Sequence, residues 1–311
     1  MSLCLVTGGA GFIGSHVVRG LLAERHQVRV LDNLSSGYRQ NLAEVEAQAE
    51  LVVGDICDAE TVASCMEGVE AVFHLAARAS VPRSVEQPRP THDVNVTGTL
   101  NLLMAAREAG ARRFIYSASS SAYGDTPTLP KHEEMPPAPL SPYAVSKLAG
   151  EYYCLAWAHV YGLETISLRY FNVFGPRQDP QSDYAAVIPA FVSRMLRGQR
   201  PIVFGDGEHS RDFCYVDNVV QANLLALKAE KLRGEAVNIA CGERTTLNQI
   251  IAVLNKLLGT RIEAEYTDPR PGDVRHSLAD LSAAQQVLGY EPQVMFAEGL
   301  RRSISWYREN L

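Results

Sequence analysis

The stretch Leu3-Cys4-Leu5-Val6-Thr7-Gly8-Gly9-Ala10-Gly11-Phe12-Ile13-Gly14 decides how this chain is read. An apolar run ending in threonine reads as a buried strand. Glycines at 8, 11 and 14 then lead into a segment of helical apolar spacing, Phe12–Ala23. Strand, tight glycine turn and helix leave backbone N–H groups free at the helix start, where an anion such as a pyrophosphate is favoured. The spacing is G-x-x-G-x-x-G. Asp32 ends the next apolar run, 18 residues beyond Gly14. A carboxylate at that place binds a ribose 2′-hydroxyl and repels a 2′-phosphate, which favours NAD over NADP.

Outward from this turn, apolar runs alternate with helical patterns. The spacing predicts strands at Leu3–Thr7, Gln27–Asp32, Ala49–Gly54, Ala71–His74, Arg113–Ser117 and Glu164–Tyr170. It predicts helices at Phe12–Ala23, Thr61–Met66, Asn95–Ala109 and Pro142–Tyr161. Such alternation implies a parallel sheet covered by helices on both faces. From about Asn172 the loops lengthen and carry more Gly and Pro. Helices are expected at Val187–Arg197, Asp217–Ala229, Leu247–Leu258 and Phe296–Arg308, with short strands at Ile202–Phe204, Ala236–Ile239 and Ile262–Tyr266. The fold class is α/β: a Rossmann-type doubly wound parallel sheet over residues 1–171, with a smaller C-terminal lobe, 172–311, interleaved with it.

A second constellation carries the chemistry. In Tyr143-Ala144-Val145-Ser146-Lys147 the phenol and the ammonium lie four residues apart, on one face of a helix. A phenol with a pKa of about 10 is a poor base at neutral pH, and a neighbouring cation favours the phenolate. Just before this helix, Ser117-Ala118-Ser119-Ser120-Ser121 ends the fifth strand. Ligands bind at that carboxyl edge of a parallel sheet, and a hydroxyl there can relay a proton.

Composition narrows the field. A net charge of −6 with 29 Lys and Arg gives no footprint for nucleic acid, and long basic blocks suited to a membrane surface are missing. The six cysteines, at 4, 57, 65, 154, 214 and 241, form no C-x-x-C pair. No zinc or redox motif is therefore expected, and the pattern suits a reducing cytosol. No apolar run approaches the roughly 18 residues that span a bilayer.

Taken together, the glycine turn, Asp55-Ile56 after the third strand, His74-Leu75-Ala76-Ala77 after the fourth and the Tyr-x-x-x-Lys helix resemble the extended short-chain dehydrogenase/reductases. The resemblance runs nearly end to end. It implies that NAD lies against Gly8, Gly11, Phe12, Ile13, Asp32, Asn33, Ser36, Gly37, Asp55, Ile56, Leu75, Ala76, Ala77, Asn95, Tyr143, Lys147 and Tyr170. By the same resemblance, Asn95 supports the active-site helix, and Ser119, Tyr143 and Lys147 are catalytic. The 4,6-dehydratases that resemble this chain carry an Asp-Glu pair directly after the catalytic Thr. Here Ser120 and Ser121 stand in those places, so elimination of water is not expected, whereas epimerisation at C4 is.

Arg169-Tyr170-Phe171-Asn172-Val173-Phe174-Gly175-Pro176 resembles the UDP-hexose 4-epimerases. That implies diphosphate contacts from Asn172, Arg211 and Arg270, with Arg244 a third arginine; guanidinium suits phosphate. Ser80, Ser119, Ser120, Ala186 and Val187 complete the expected sugar-nucleotide site. Ser277 stands where epimerases restricted to UDP-glucose and UDP-galactose resemble one another in carrying a bulky Tyr, so it leaves room for an N-acetyl group. The strings around Ser80, Ala186 and Ser277 look most like bacterial UDP-N-acetylglucosamine 4-epimerases. The expectation is an NAD-dependent epimerase that prefers UDP-GlcNAc/UDP-GalNAc, with UDP-glucose/UDP-galactose as poorer substrates, cytoplasmic, without metal, forming a homodimer through the helices Asn95–Ala109 and Pro142–Tyr161. Competing readings are a UDP-glucuronate 4-epimerase or decarboxylase, which would want a cation such as Arg83 or Arg177 near C6, and a non-catalytic NAD- or nucleotide-sugar-binding regulator.

Overall fold

The computed structural model describes residues 1–180, 186–269 and 275–310. Six strands follow the expected order: β1 Leu3–Thr7, β2 Gln27–Asp32, β3 Ala49–Val53, β4 Ala71–His74, β5 Arg113–Ser119 and β6 Glu164–Tyr170. A seventh, Glu235–Ile239, pairs with β6. The sheet runs Glu235–Ile239, β6, β5, β4, β1, β2, β3, and every pairing is parallel. Strand order reverses between β1 and β4, which opens a crevice at the carboxyl ends of these strands.

The period of two in each strand divides the core. Val6, Val30, Phe73 and Ile115 face one apolar cluster, together with Val17 and Val18 of the helix Phe12–Ala23. Their neighbours Leu5, Leu31, Val72 and Phe114 face the other, against Leu102, Leu103 and Cys154. Both faces of the strands are buried, so they read as continuous apolar runs. A third cluster, around Phe174, Phe191, Phe213, Phe296 and Leu300, fills the C-terminal lobe.

Two differences from the sequence reading have local causes. Asn95 does not begin an α-helix; it sits in a π-helical turn, Asp93–Thr97, ahead of the helix Gly98–Glu108. The expected strand Ile262–Tyr266 shrinks to Glu265–Thr267. Both backbone groups of Ile262 are bonded to the Asn255 side chain, at 2.8 and 2.9 Å, and are not available for a ladder. The structure adds short helices at Val81–Glu86, Pro88–His92 and Ser282–Leu288. No described helix is long and apolar enough to cross a membrane.

Candidate active site

Thr7, Asp32, His74 and Ser119 end their strands at the carboxyl edge of the sheet. At the end of β1 the chain turns with Gly8 at φ +69°. A Cβ on Gly8 would lie 2.7 Å from the Ala76 nitrogen, and one on Gly14 would lie 2.1 Å from the Gly8 carbonyl oxygen. Only glycine permits this close crossing of the turn, the helix and the loop after β4.

Asp32, at the end of β2, is buried. Its carboxylate accepts from Ala10 N–H at 2.9 Å and Leu34 N–H at 2.8 Å. Burial pushes its pKa up, and these two bonds oppose the shift. Gly37 packs so closely on Ala10 that a Cβ there would lie 3.0 Å from the Asp32 carboxylate. Asp55 accepts from Asn33 Nδ2 at 2.9 Å and Cys57 N–H at 2.8 Å. Burial alone would raise its carboxyl, but these bonds hold it below the usual range. Ile56 is buried against Gly98, while Asn33 and Ser36 are exposed.

The loop after β4 is tied to the long helix by a chain of buried polar groups. Ala76 N–H donates to Thr7 Oγ1 at 3.2 Å, and Thr7 Oγ1 meets His74 Nδ1 at 2.8 Å. His74 Nε2 meets Thr99 Oγ1 at 2.8 Å, and Thr99 donates to the Asn95 carbonyl at 2.6 Å. Since Thr99 spends its proton on Asn95, the ring donates through Nε2 and accepts at Nδ1. Burial, reinforced by the Lys147 charge, holds His74 well below its usual pKa, so the ring is neutral. Asn95 accepts from Arg78 N–H at 2.8 Å and donates to Ser146 Oγ at 2.9 Å; Ser146 in turn donates to the Tyr143 carbonyl at 2.8 Å.

The helix Pro142–Tyr161 starts sharply because Ser141 Oγ accepts from Ala144 N–H at 3.1 Å and proline follows the cap. Its first turn brings Tyr143 beside Ser119, whose hydroxyl pulls the phenol pKa down. Ser119 also accepts from Ser121 N–H at 3.2 Å. One turn later Lys147 is buried, its Nζ donating to the Ser117 carbonyl at 2.8 Å and lying 5.0 Å from the Tyr116 ring centre. Burial pushes the Lys147 pKa down to about 7. Tyr143 departs from expectation: burial pushes the phenol up, and only the neighbouring Ser119 hydroxyl pulls it back. The Lys147 ammonium is directed at a backbone carbonyl and does not offset that burial.

Beside this edge lies a cavity of about 300 Å³, lined by Asn172, Ala186, Val187, His209, Arg211 and Phe213 among others. Four expected substrate residues meet there. Ser277 lies on a segment paired with Ser210: its N–H donates to the Ser210 carbonyl at 3.1 Å, and its Oγ is buried with no partner among the described residues. Arg244 lies on a neighbouring turn, just before the short strand Thr245–Thr246. Ser80 caps the helix Val81–Glu86. Tyr170 reaches the edge only through its backbone, because its phenol is buried and accepts from Asn223 Nδ2 at 2.8 Å. Arg270 lies outside the described residues, as do Tyr184, Ala185 and Asp273.

Residues 4–240 match the model of the NAD dependent epimerase/dehydratase family. The chain belongs to this family. It is 42% identical over 308 residues to the UDP-glucose 4-epimerase of Mycolicibacterium smegmatis, with 98% of each chain covered. The UDP-N-acetylglucosamine 4-epimerase of Methanobrevibacter ruminantium M1, solved with UDP-N-acetylmuramic acid, matches with a TM-score of 0.95 and 39% identity over 100% of this chain and 99% of that one. The Thermus thermophilus UDP-glucose 4-epimerase, solved with NAD, matches with a TM-score of 0.91 and 37% identity over 99% of this chain and 100% of that one.

The epimerase-family cofactor, NAD, fits the residues present. The Gly8–Gly14 turn brings backbone close enough that side chains are excluded. Asp32 stands buried at the end of β2, where a ribose hydroxyl would meet its carboxylate. The sequence reading missed Thr7, Thr99, Ser146, Tyr116, His209 and Asp212. The first four could have been found as polar residues within an apolar strand or helix, which burial obliges to find partners; His209 and Asp212 lie outside strands and helices and carry no such signal.

Proposed function

We propose that this NAD-dependent UDP-sugar 4-epimerase prefers UDP-N-acetylglucosamine and interconverts it with UDP-N-acetylgalactosamine. The placing of Ser119 beside the Tyr143 phenol, with Lys147 buried one turn on, carries the catalytic part of this reading. Ser119, Tyr143 and Lys147 are the catalytic residues. NAD, when bound, supplies a reversible hydride acceptor and a positive charge beside the phenol. Tyr143, as phenolate, takes the proton of the C4 hydroxyl, and Ser119 orients that hydroxyl. Burial favours the neutral phenol and Lys147 alone does not offset it, so the phenolate would need the positive charge of bound NAD added to that of Lys147. The 4-keto sugar would then present its other face, where C4 would take the hydride back while Tyr143 returns the proton to O4. Neither Ser120 nor Ser121 is an acid that could eliminate water.

We assign residues 1–171 mainly to the cofactor and 172–311 mainly to the sugar nucleotide. Asn172, Arg211, Arg244 and Arg270 hold the diphosphate. The preference for an N-acetyl group rests on Ser277, a small residue on the segment paired to the Arg211 strand, whose buried Oγ has no partner among the described residues. Comparing kcat/KM for acetylated and non-acetylated UDP-sugars tests it, and equal values would remove the preference. Met104, Val145, Tyr152 and Leu155 are exposed on the helices Gly98–Glu108 and Pro142–Tyr161. Such apolar exposure supports pairing of these helices with a second copy.

A further inference from the structure

We infer that Asp212 is a positioning residue for the sugar nucleotide: its carboxylate ties three separate segments into one wall of the pocket, and that tie sets substrate affinity. The inference rests on the UDP-sugar reading above. Asp212 is completely buried. Its Oδ1 accepts from Cys241 N–H at 2.9 Å, and its Oδ2 accepts from Gly242 N–H at 3.0 Å and Ala279 N–H at 3.2 Å. Its own carbonyl accepts from Asn172 Nδ2 at 3.3 Å.

Each tied segment carries a residue assigned to the substrate. Arg211 immediately precedes Asp212, Arg244 follows Gly242 by two residues, and Ser277 precedes Ala279 by two. The regular structure around them is minimal. Ser210–Arg211 pairs with Thr245–Thr246 over two residues only. The segment from Arg275 is joined to Ser210 by Ser210 N–H to the Arg275 carbonyl at 3.0 Å, by Ser277 N–H to the Ser210 carbonyl at 3.1 Å, and by Ser210 Oγ against His276 Nδ1 at 2.8 Å. Strands this short contribute little rigidity, so the side-chain bonds of Asp212 carry the alignment. Burying a carboxylate is costly unless it is fully bonded, and three backbone donors offset that cost here. Removing it would leave those donors unsatisfied.

The test is Asp212→Asn in the NAD-loaded enzyme. Asparagine keeps the shape and one acceptor oxygen but turns an NH2 toward N–H donors. UDP affinity by calorimetry should fall about tenfold or more, KM should rise in step, and kcat should stay within about threefold, as for an interaction that aligns binding without touching the reacting atoms. Bound NAD should be unchanged. Native UDP affinity in the variant would overturn the inference, as would proportionate loss of kcat and NAD. Should the variant fail to fold, hydrogen exchange in the wild-type enzyme decides: on adding UDP, the amides of Cys241, Gly242 and Ala279 should slow together, and a response in only one segment would overturn the tie. A wild-type enzyme that binds no UDP would remove the substrate reading and this inference with it. Wild-type binding beside an unaffected variant would remove this inference alone.

Discussion

The glycine turn and the proposed substrate pocket hold their residues by different means. Thr7, Asp32, His74, Ser119 and Tyr170 each end a strand of one parallel sheet, and the register of that sheet sets their spacing. Asn172, Arg211, Arg244 and Ser277 sit on loops and two-residue strands, aligned by side chains that reach backbone across gaps in sequence. The first region owes its precision to cooperative packing. The second owes it to a few polar ties. Changes at the cofactor edge should therefore abolish chemistry or cofactor retention, whereas changes in the pocket should alter affinity and selectivity with chemistry intact.

The largest expected effect is at Lys147. Lys147→Met should lower kcat/KM by about a thousandfold, within the range for loss of an acid–base group. It should also carry a stability signature. Folded Lys147 has its pKa pushed down to about 7, against about 10.4 unfolded, so the unfolded chain binds more protons between those values. This destabilises the wild type fully below about 7, and the effect fades as pH rises toward about 10. The melting temperature of the variant relative to wild type should thus be highest at about pH 7 and decline toward about pH 10. A relative melting temperature that rose with pH would show Lys147 to be charged and satisfied.

Next comes Gly14→Ala, whose Cβ would meet the Gly8 carbonyl oxygen at 2.1 Å. Overpacking of this kind costs on the order of 3 kcal/mol. The purified variant should lose most of its bound NAD, measured by absorbance after denaturation, while residual UDP binding persists. Loss of UDP binding without loss of NAD would invert the comparison between the two regions. The smallest effect should come from Ser277→Tyr. It should lower kcat/KM for UDP-GlcNAc about tenfold or more while sparing UDP-glucose, the asymmetry expected when a pocket excludes one added group. Full activity on UDP-GlcNAc would break the gatekeeper argument.

How much can be read from the sequence follows the same division. The strands β1 to β6 are legible because burial on both faces leaves unbroken apolar runs between glycines. Gly8, Asp32, Tyr143 and Lys147 are legible because their meaning lies in spacing over a few residues. The chain from Thr7 through His74 to Asn95 is not, since Thr7 and His74 meet across 67 residues. Asp212 is hidden for the same reason; its partners lie 29, 30 and 67 residues away. The π-helical turn at Asn95 is invisible because it keeps the helical apolar pattern on either side. The expected lowering of the Tyr143 pKa fails for another reason: spacing reveals a nearby cation but not the burial that outweighs it.

The most direct test is to incubate the purified protein with UDP-GlcNAc, adding no NAD, and to separate the sugars released from the product. The account predicts UDP-GalNAc, formed catalytically by cofactor that stays bound and is regenerated each cycle. Absence of a C4-epimerised product from UDP-GlcNAc, and from every other UDP-sugar supplied, would contradict it.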